Sequence, residues 1–313
     1  MAQKPSIAIV VLNYNSSGHT LRCIESIHRQ LPGFFQLTLI VVDNNSAPVD
    51  RQKLTTLSGD KVKLIYSGIN LGFSGGMMLG ALSMEADYYL LLNNDCELQR
   101  AALSALCVFM ETHADVALCS GSMSDAKGRP RSSFNYFPSL ALTLFGSSLM
   151  RLLHPGRYPD RRKLYAQPLP VDVVTGAAMF IRGTVFRELH GLDTGYFLYC
   201  EEEDFAIRVR KAGWKTYHVP QSKIMHIGGA SSADPAMRSA LQREYYISFL
   251  RYLRQHHGTL YTLIFRFTTA LKVLRRALMG KAPYRLAGFV LGGAPEKESL
   301  RYKQTRRESL RIS

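Results

Sequence analysis

Residues 88–95 read YYLLLNND, and residues 6–15 read SIAIVVLNYN. Each is an unbroken apolar run, rich in β-branched or aromatic residues, that stops at amide and acid side chains. A run without polar alternation is buried on both faces, as a strand is in a sheet covered by helices. Between and beyond these two lie LTLIVVD (37–43), KVKLIYS (61–67) and VALCS (116–120). Helical periodicity over 19–30, 48–57, 75–85 and 99–113 fills the gaps. Strands alternating with helices predict an α/β fold with a mostly parallel central sheet flanked by helices. In such sheets ligands bind beyond the carboxyl ends of the strands. Asn13-Tyr14-Asn15, Asp43-Asn44-Asn45 and Asn93-Asn94-Asp95 fall at those ends.

From about 125 to 170 the alternation stops. Seven basic residues, from Arg129 to Lys163, interleave with Phe134, Tyr136, Phe137, Tyr158 and Tyr165. The stretch reads either as a basic, aromatic-lined substrate loop or as a surface excursion that packs a few aromatics. Order resumes with a strand over 173–183, a helix beginning near Glu201, a strand over 215–220 and a helix over about 235–256.

The chain has 313 residues, 46% hydrophobic and 20% charged, which excludes a disordered or fibrous protein. Its net charge of +15 points to an anionic partner: nucleic acid, a phosphate-bearing small molecule or an acidic membrane surface. From Arg266 onward there are 12 Lys/Arg and 3 Asp/Glu, so most of the excess sits in the tail. With the charge there and no recognition motif, nucleic acid is not the expected partner. Leu260, Leu263, Ile264, Phe267, Leu271, Leu274 and Leu278 fall on one helical stripe, with Arg266, Lys272, Arg275 and Arg276 off it. That is the spacing of an amphipathic cationic helix suited to an anionic membrane surface. The alternative is a stripe packed on the core. No apolar run is long enough to span a membrane, and Ile7–Leu12 is too short for a signal peptide. Five scattered cysteines without a CxxC pair argue against a disulfide framework or a zinc site. The expected location is cytoplasmic, peripheral on the inner face of the cytoplasmic membrane.

Three local patterns carry chemistry. GINLGFSGGMMLG (68–80) joins a strand to a helix without the spacing of a P-loop or a dinucleotide fingerprint. Gly75 and Gly76 would allow close backbone approach to a diphosphate, or simply form a tight turn. Asp95, at a strand end, suits a Mg²⁺ or Mn²⁺ ion between protein and diphosphate, given further ligands. Glu201-Glu202-Glu203-Asp204 follows the apolar GYFLYC. It reads as an acidic helix start or as clustered carboxylates that set one up as a general base.

The order LNYN, VVDNNS, NLGFSGG, LLLNND, TGAAMFIR, GLDTGYFLYCEEEDFAIRVRKAGWKTYHVP and then His226 resembles the family-2 inverting glycosyltransferases, above all bacterial rhamnosyltransferase-like members. The match covers roughly residues 5–255. The resemblance implies a GT-A fold, with a nucleotide-sugar-binding half (1–125), an acceptor-binding catalytic half (126–257) and an amphipathic basic helical extension (258–313). It places Asn13, Asn15, Asp43 and Asn45 around the nucleoside, and Asn70, Gly75 and Gly76 along the nucleotide pocket. Asn93-Asn94-Asp95 takes the position of the family's DXD motif, with Asp95 the ligand of Mg²⁺ or Mn²⁺ and His226 closing the site. Glu202 falls on the general base, flanked by Glu201 and Asp204. Asn93 replaces the first acid of DXD, and Met77-Met78 stands where many members have asparagines. The implied reaction moves a sugar, rhamnose from dTDP-rhamnose first and a UDP-hexose second, to a lipid-linked or nascent glycan acceptor. The rival classes are a nucleotidyltransferase and an inert binder of nucleotide sugar or anionic polymer.

Overall fold

The computed structural model describes residues 4–30, 35–57, 62–228, 235–280 and 283–302. Lys281, Lys303, Arg306, Arg307 and Arg311 of the basic tail, and Lys61 of the expected third strand, lie outside them. The elements are β1 (Ser6–Asn13), α1 (Ser17–His28), β2 (Gln36–Asp43), α2 (Pro48–Leu54), β3 (Val62–Tyr66), α3 (Gly72–Ala81), β4 (Tyr88–Asn93), β5 (Cys96–Leu98), α4 (Ala102–Thr112) and β6 (Val116–Ser124). There follow β7 (Pro130–Arg131), β8 (Phe134–Asn135), α5 (Leu140–Leu153), β9 (Leu169–Pro170), β10 (Val173–Val174), β11 (Ala178–Arg182) and α6 (Gly183–Glu188). The chain continues through α7 (Glu201–Lys211), β12 (Lys215–His226), α8 (Pro235–His257), α9 (Thr259–Leu278) and α10 (Tyr284–Leu291).

Among the described residues the main sheet runs β3-β2-β1-β4-β11-β6-β12-β5. The four strands from β3 to β4 are parallel, as the apolar runs predict. Beyond β4 the sheet is mixed, because β11 enters antiparallel to both β4 and β6, and β5 is antiparallel to β12. One face of β1, through Ile7, Ile9 and Val11, packs with Cys23, Ile24 and Ile27 of α1 and Leu103, Leu106 and Cys107 of α4. The opposite face meets α3. A side chain at Gly76 would overlap Leu12, and one at Gly80 would overlap Val10 and Val42, so these glycines let α3 sit directly on the sheet.

The chain divides into two compact units. One comprises Met1–Tyr136, Arg161–Gly195 and Glu201–Ala230, and holds the sheet. The other comprises Phe137–Asp160, Tyr196–Cys200 and Ser231–Ser313. The contiguous cuts at 125 and 257 therefore do not coincide with the units: α5 and α8 group with the C-terminal helices. The basic, aromatic stretch is no uniform loop. It contains α5, and Phe134, Tyr136 and Phe137 are buried. In the second unit α9 buries Phe265, Val273, Ala270, Ala277, Thr262 and Thr269. All seven residues of its apolar stripe are exposed. No helix among the described residues is long and apolar enough to cross a membrane.

Candidate active site

The carboxyl ends of β1, β2 and β4 lie level, with Asn13 beside Asp43 and Leu12 beside Asn93. Asn13 and Asp43 are fully buried and spend their polar atoms on each other and on neighbouring loops. Asn13 Nδ2 faces Asp43 Oδ1 at 3.1 Å, Ser46 Oγ at 2.9 Å and Asp50 Oδ2 at 3.0 Å, while its Oδ1 accepts from Thr20 at 2.8 Å. Arg51 Nε donates to Asp43 Oδ2 at 2.8 Å, and its guanidinium lies 5.3 Å from the centre of the half-exposed Tyr66 ring. Asn15 and Asn45 take left-handed backbone, and Asn15 Oδ1 accepts from Ala47 N. These residues build a braced rim, in which the exposed Tyr14, Asn15 and Tyr66 and the partly exposed Arg51 offer surface to a ligand. Arg51 and Tyr66 escaped sequence reading because a surface helix and a strand end supply them without a motif.

Asn44 joins this rim to the glycine-rich loop. Its Nδ2 donates to Asn70 Oδ1 and Gly72 O, and its Oδ1 accepts from Leu71 N. Two expectations for this loop change. α3 starts at Gly72, whose φ of +74° suits glycine, rather than at Gly75. Gly76 makes its close approach to Leu12 of the sheet, which accounts for it without a diphosphate. Met77 and Met78 are core residues, and Met78 Sδ accepts from Leu192 N, so no donor is missing there.

The acidic motif lies one strand away. Asn94 Nδ2 donates to Ser16 Oγ and Thr20 Oγ1, which ties the β4–β5 turn to α1. β12 runs on from residue 220 to His226, through an irregular register after Val219, and pairs with β5 so that His226 sits opposite Cys96. His226 Nε2 is 3.2 Å from Asp95 Oδ1, and Gly228 N donates to Asp95 Oδ2 at 3.1 Å. Burial opposes ionisation of Asp95, but the hydrogen bond and charge of His226 and the Gly228 amide outweigh it and hold the carboxyl below its ordinary value. Two donors at right angles on one cation, each about 2.1 Å from it, stand about 3 Å apart. The Asp95–His226 pair already has that spacing. Asn93 Oδ1 is buried and accepts no hydrogen bond among the described residues, which leaves it a lone pair to offer. Cys96 Sγ lies within 4.8 Å of both donor atoms. It is fully buried, faces Ala177 O at 3.5 Å and has its pKa pushed far up by burial, so it belongs to the core. The residues present therefore fit a hard divalent ion.

The expected strand over 173–183 is broken by the turn Thr175-Gly176-Ala177, and this break connects the site. Ala177 O accepts from Asn93 N at 2.8 Å. The adjacent Gly176 lies against the Glu202 carboxyl group: a Cβ at 176 would stand 3.3 Å from both Cδ and Oε1. The metal-type motif and the acidic helix start are thus bridged by two consecutive residues.

The acids occupy the first turn of α7, where unpaired backbone N–H groups favour negative charge. Tyr199 and Cys200, with φ of +73° and +66°, form the bend that leads into that turn. Glu201 is buried, and Glu202 and Glu203 are half-buried. Burial raises the pKa of all three, and the charge of Glu202 pushes Glu201 and Glu203 well above the ordinary range. Glu202 is held back by its own amide, by a hydrogen bond from Glu203 and by the Gly176 amide. Of the three, Glu202 is the one whose rise is limited by hydrogen bonds from neighbouring groups. Glu203 has no role in the expectations from sequence. Asp204 is fully buried and its Oδ2 accepts two bonds from Arg208, which also holds Leu189 O and Gly191 O. That geometry makes Asp204 a fastener of α7.

Residues 8–189 match the family model for glycosyl transferase family 2. The chain belongs to that family. It is 24% identical over 260 residues to the N-acetylglucosaminyl-diphospho-decaprenol L-rhamnosyltransferase of Mycobacterium tuberculosis, covering 78% of this chain and 83% of that one. It is 27% identical over 209 residues to the low-salt glycan biosynthesis hexosyltransferase Agl10 of Haloferax volcanii, covering 66% of this chain and 62% of that one. Among solved structures, the mannosyltransferase PcManGT of Pyrobaculum calidifontis with GDP-Man and Mn²⁺ superposes with a TM-score of 0.58 at 13% identity, over 96% of this chain and 83% of that one. The fold of this family-2 glycosyltransferase is thus of the GT-A kind, with a mixed central sheet between helices.

Proposed function

We propose that this family-2 glycosyltransferase is an inverting, metal-dependent rhamnosyltransferase that acts on a lipid-linked or nascent cell-surface glycan. It would work at the inner face of the cytoplasmic membrane. The observation that carries the reading is the bridge Asn93–Ala177–Gly176–Glu202, which sets a half-buried carboxylate beside a strand end suited to a nucleotide diphosphate and its cation.

In this reading Tyr14, Asn15, Asn45, Arg51 and Tyr66 contact the nucleoside from the rim that Asn13 and Asp43 brace. Asn70 shapes the loop beside it, and Gly75 and Gly76 lie in the first turns of the helix that follows. Asp95 and His226, with Asn93 and Asn94 alongside, would hold Mg²⁺ or Mn²⁺, and the ion would supply positive charge against the departing nucleoside diphosphate. Glu202 accepts the proton from the acceptor hydroxyl as that oxygen attacks the anomeric carbon. Burial raises the basicity of Glu202, and the hydrogen bond from Glu203 limits that rise. A single displacement needs no second nucleophile.

The relative named as a rhamnosyltransferase on a decaprenol-linked sugar supports the choice of donor and acceptor. The relative named as a hexosyltransferase supports the second reading, a UDP-hexose donor. A transfer assay with Mn²⁺ and a polyprenyl-diphospho-sugar acceptor, run with dTDP-rhamnose, UDP-glucose and UDP-galactose, separates them. The expected outcome is at least tenfold preference for dTDP-rhamnose, the scale of a good pocket contact. Preference for a UDP-hexose overturns the donor assignment.

A further inference from the structure

α5 is a helix of fourteen residues, LALTLFGSSLMRLL, of which only Met150 is buried. Leu144, Phe145 and Leu152 are 58%, 61% and 78% exposed, an unusual cost in water for side chains that gain when removed from it. Gly146, with φ of +77°, kinks the helix. In the same compact unit α5 is fastened to α9: Leu140 N donates to Tyr261 Oη at 2.8 Å, and Lys272 Nζ donates to Thr143 O at 3.4 Å. At 3.6 residues per turn, Tyr261 and Lys272 lie about 120° around α9 from the centre of its exposed stripe. The first turn of α5 is therefore fastened beside that stripe, which includes Leu263 and Phe267, and among the described residues twelve of the twenty-six large exposed hydrophobic side chains belong to these two helices.

The charge around them is mostly positive, although Asp160 pairs with Arg151 of α5 at 2.7 Å. Residues 137–159 and 257–295 contain eight Lys/Arg and no Asp or Glu. A second copy of the chain would bring these like charges together, which costs association energy. An anionic bilayer takes both components, acyl chains against the apolar faces and headgroups against the cations.

We propose that α5 and α9 form one interfacial platform that binds anionic lipid bilayers, with α5 contributing as much apolar contact as the α9 stripe. A lipid-linked acceptor makes such a platform useful. Binding to plain vesicles, however, needs neither donor nor acceptor, so this inference and the proposed reaction can fail separately.

The test is co-sedimentation of the full chain with phosphatidylcholine vesicles containing about one-third phosphatidylglycerol. Binding is expected at low salt, weakened by NaCl and by omission of phosphatidylglycerol. Phe145→Ser with Leu152→Ser, and separately Leu263→Ser with Phe267→Ser, should each weaken it about tenfold or more, since each pair removes two apolar anchors. These exposed changes should leave the thermal midpoint in place. As a check independent of any loss of folding, Phe145→Trp should gain emission that shifts to the blue on these vesicles. An α5 pair that binds like the parent, or no shift from Trp at 145, overturns the role of α5. Failure of the parent to bind overturns the platform. So does a dimer in solution that Phe145→Ser with Leu152→Ser dissociates, which would make the face a contact between copies.

Discussion

Glu202→Gln is expected to lower turnover by about 10²–10⁴-fold, the range attributed to a positioned general base, while nucleotide-sugar affinity changes little. The amide keeps the shape of the side chain against Gly176 but cannot take a proton. The loss should not come from unfolding. Burial raises the pKa of Glu201, Glu202 and Glu203 in the folded chain, so the folded state holds more protons than the unfolded state above the ordinary carboxylate range. Stability contributed by these groups is complete below that range and declines as pH rises toward the raised values. Removing one ionisation there should leave the thermal midpoint at neutral pH equal or higher. The same shift fixes the acid limb of the rate profile: turnover falls as pH drops through a value above that of an ordinary glutamate. Near-normal turnover of Glu202→Gln would transfer the role to Glu201 or Glu203.

Asp95→Asn should remove the metal-dependent tightening of nucleotide binding and lower turnover by about 10²-fold or more, because charge on the leaving diphosphate goes uncompensated. Asparagine retains an oxygen for the Gly228 amide and so limits the structural cost. Calorimetry is the measurement. The parent should bind nucleoside diphosphate more tightly with Mn²⁺ than with EDTA, and the variant should show no difference. A parent with equal affinity in both would overturn the role given to Asp95 and His226.

The parallel half of the sheet and the acids of α7 were legible because continuous apolar runs and an acidic block are local signals. What escaped were features fixed by packing between distant segments. β5 has three residues, too few to show a period, yet its pairing sets His226 opposite Cys96, next to Asp95. Thr175-Gly176-Ala177 looks like the middle of one strand, yet the chain turns there and brings Gly176 against Glu202. α5 was masked by Gly146 and by the basic and aromatic residues around it. The apolar stripe of α9 is legible as a stripe, but periodicity does not say what covers it. The helix buries its other face, where Thr262, Thr269, Ala270 and Ala277 allow close packing. The glycines of α3 invited a phosphate reading because a backbone that approaches a ligand and one that approaches a sheet need the same residue.

The central claim is a single displacement at the anomeric carbon driven by Glu202. The anomeric configuration of the sugar in the product, read by NMR after complete transfer and compared with the donor, tests it most directly. The account predicts inversion, with a β-linked donor giving an α-linked product. Retention would require a covalent or internal-return route that one carboxylate base does not provide, and would contradict it.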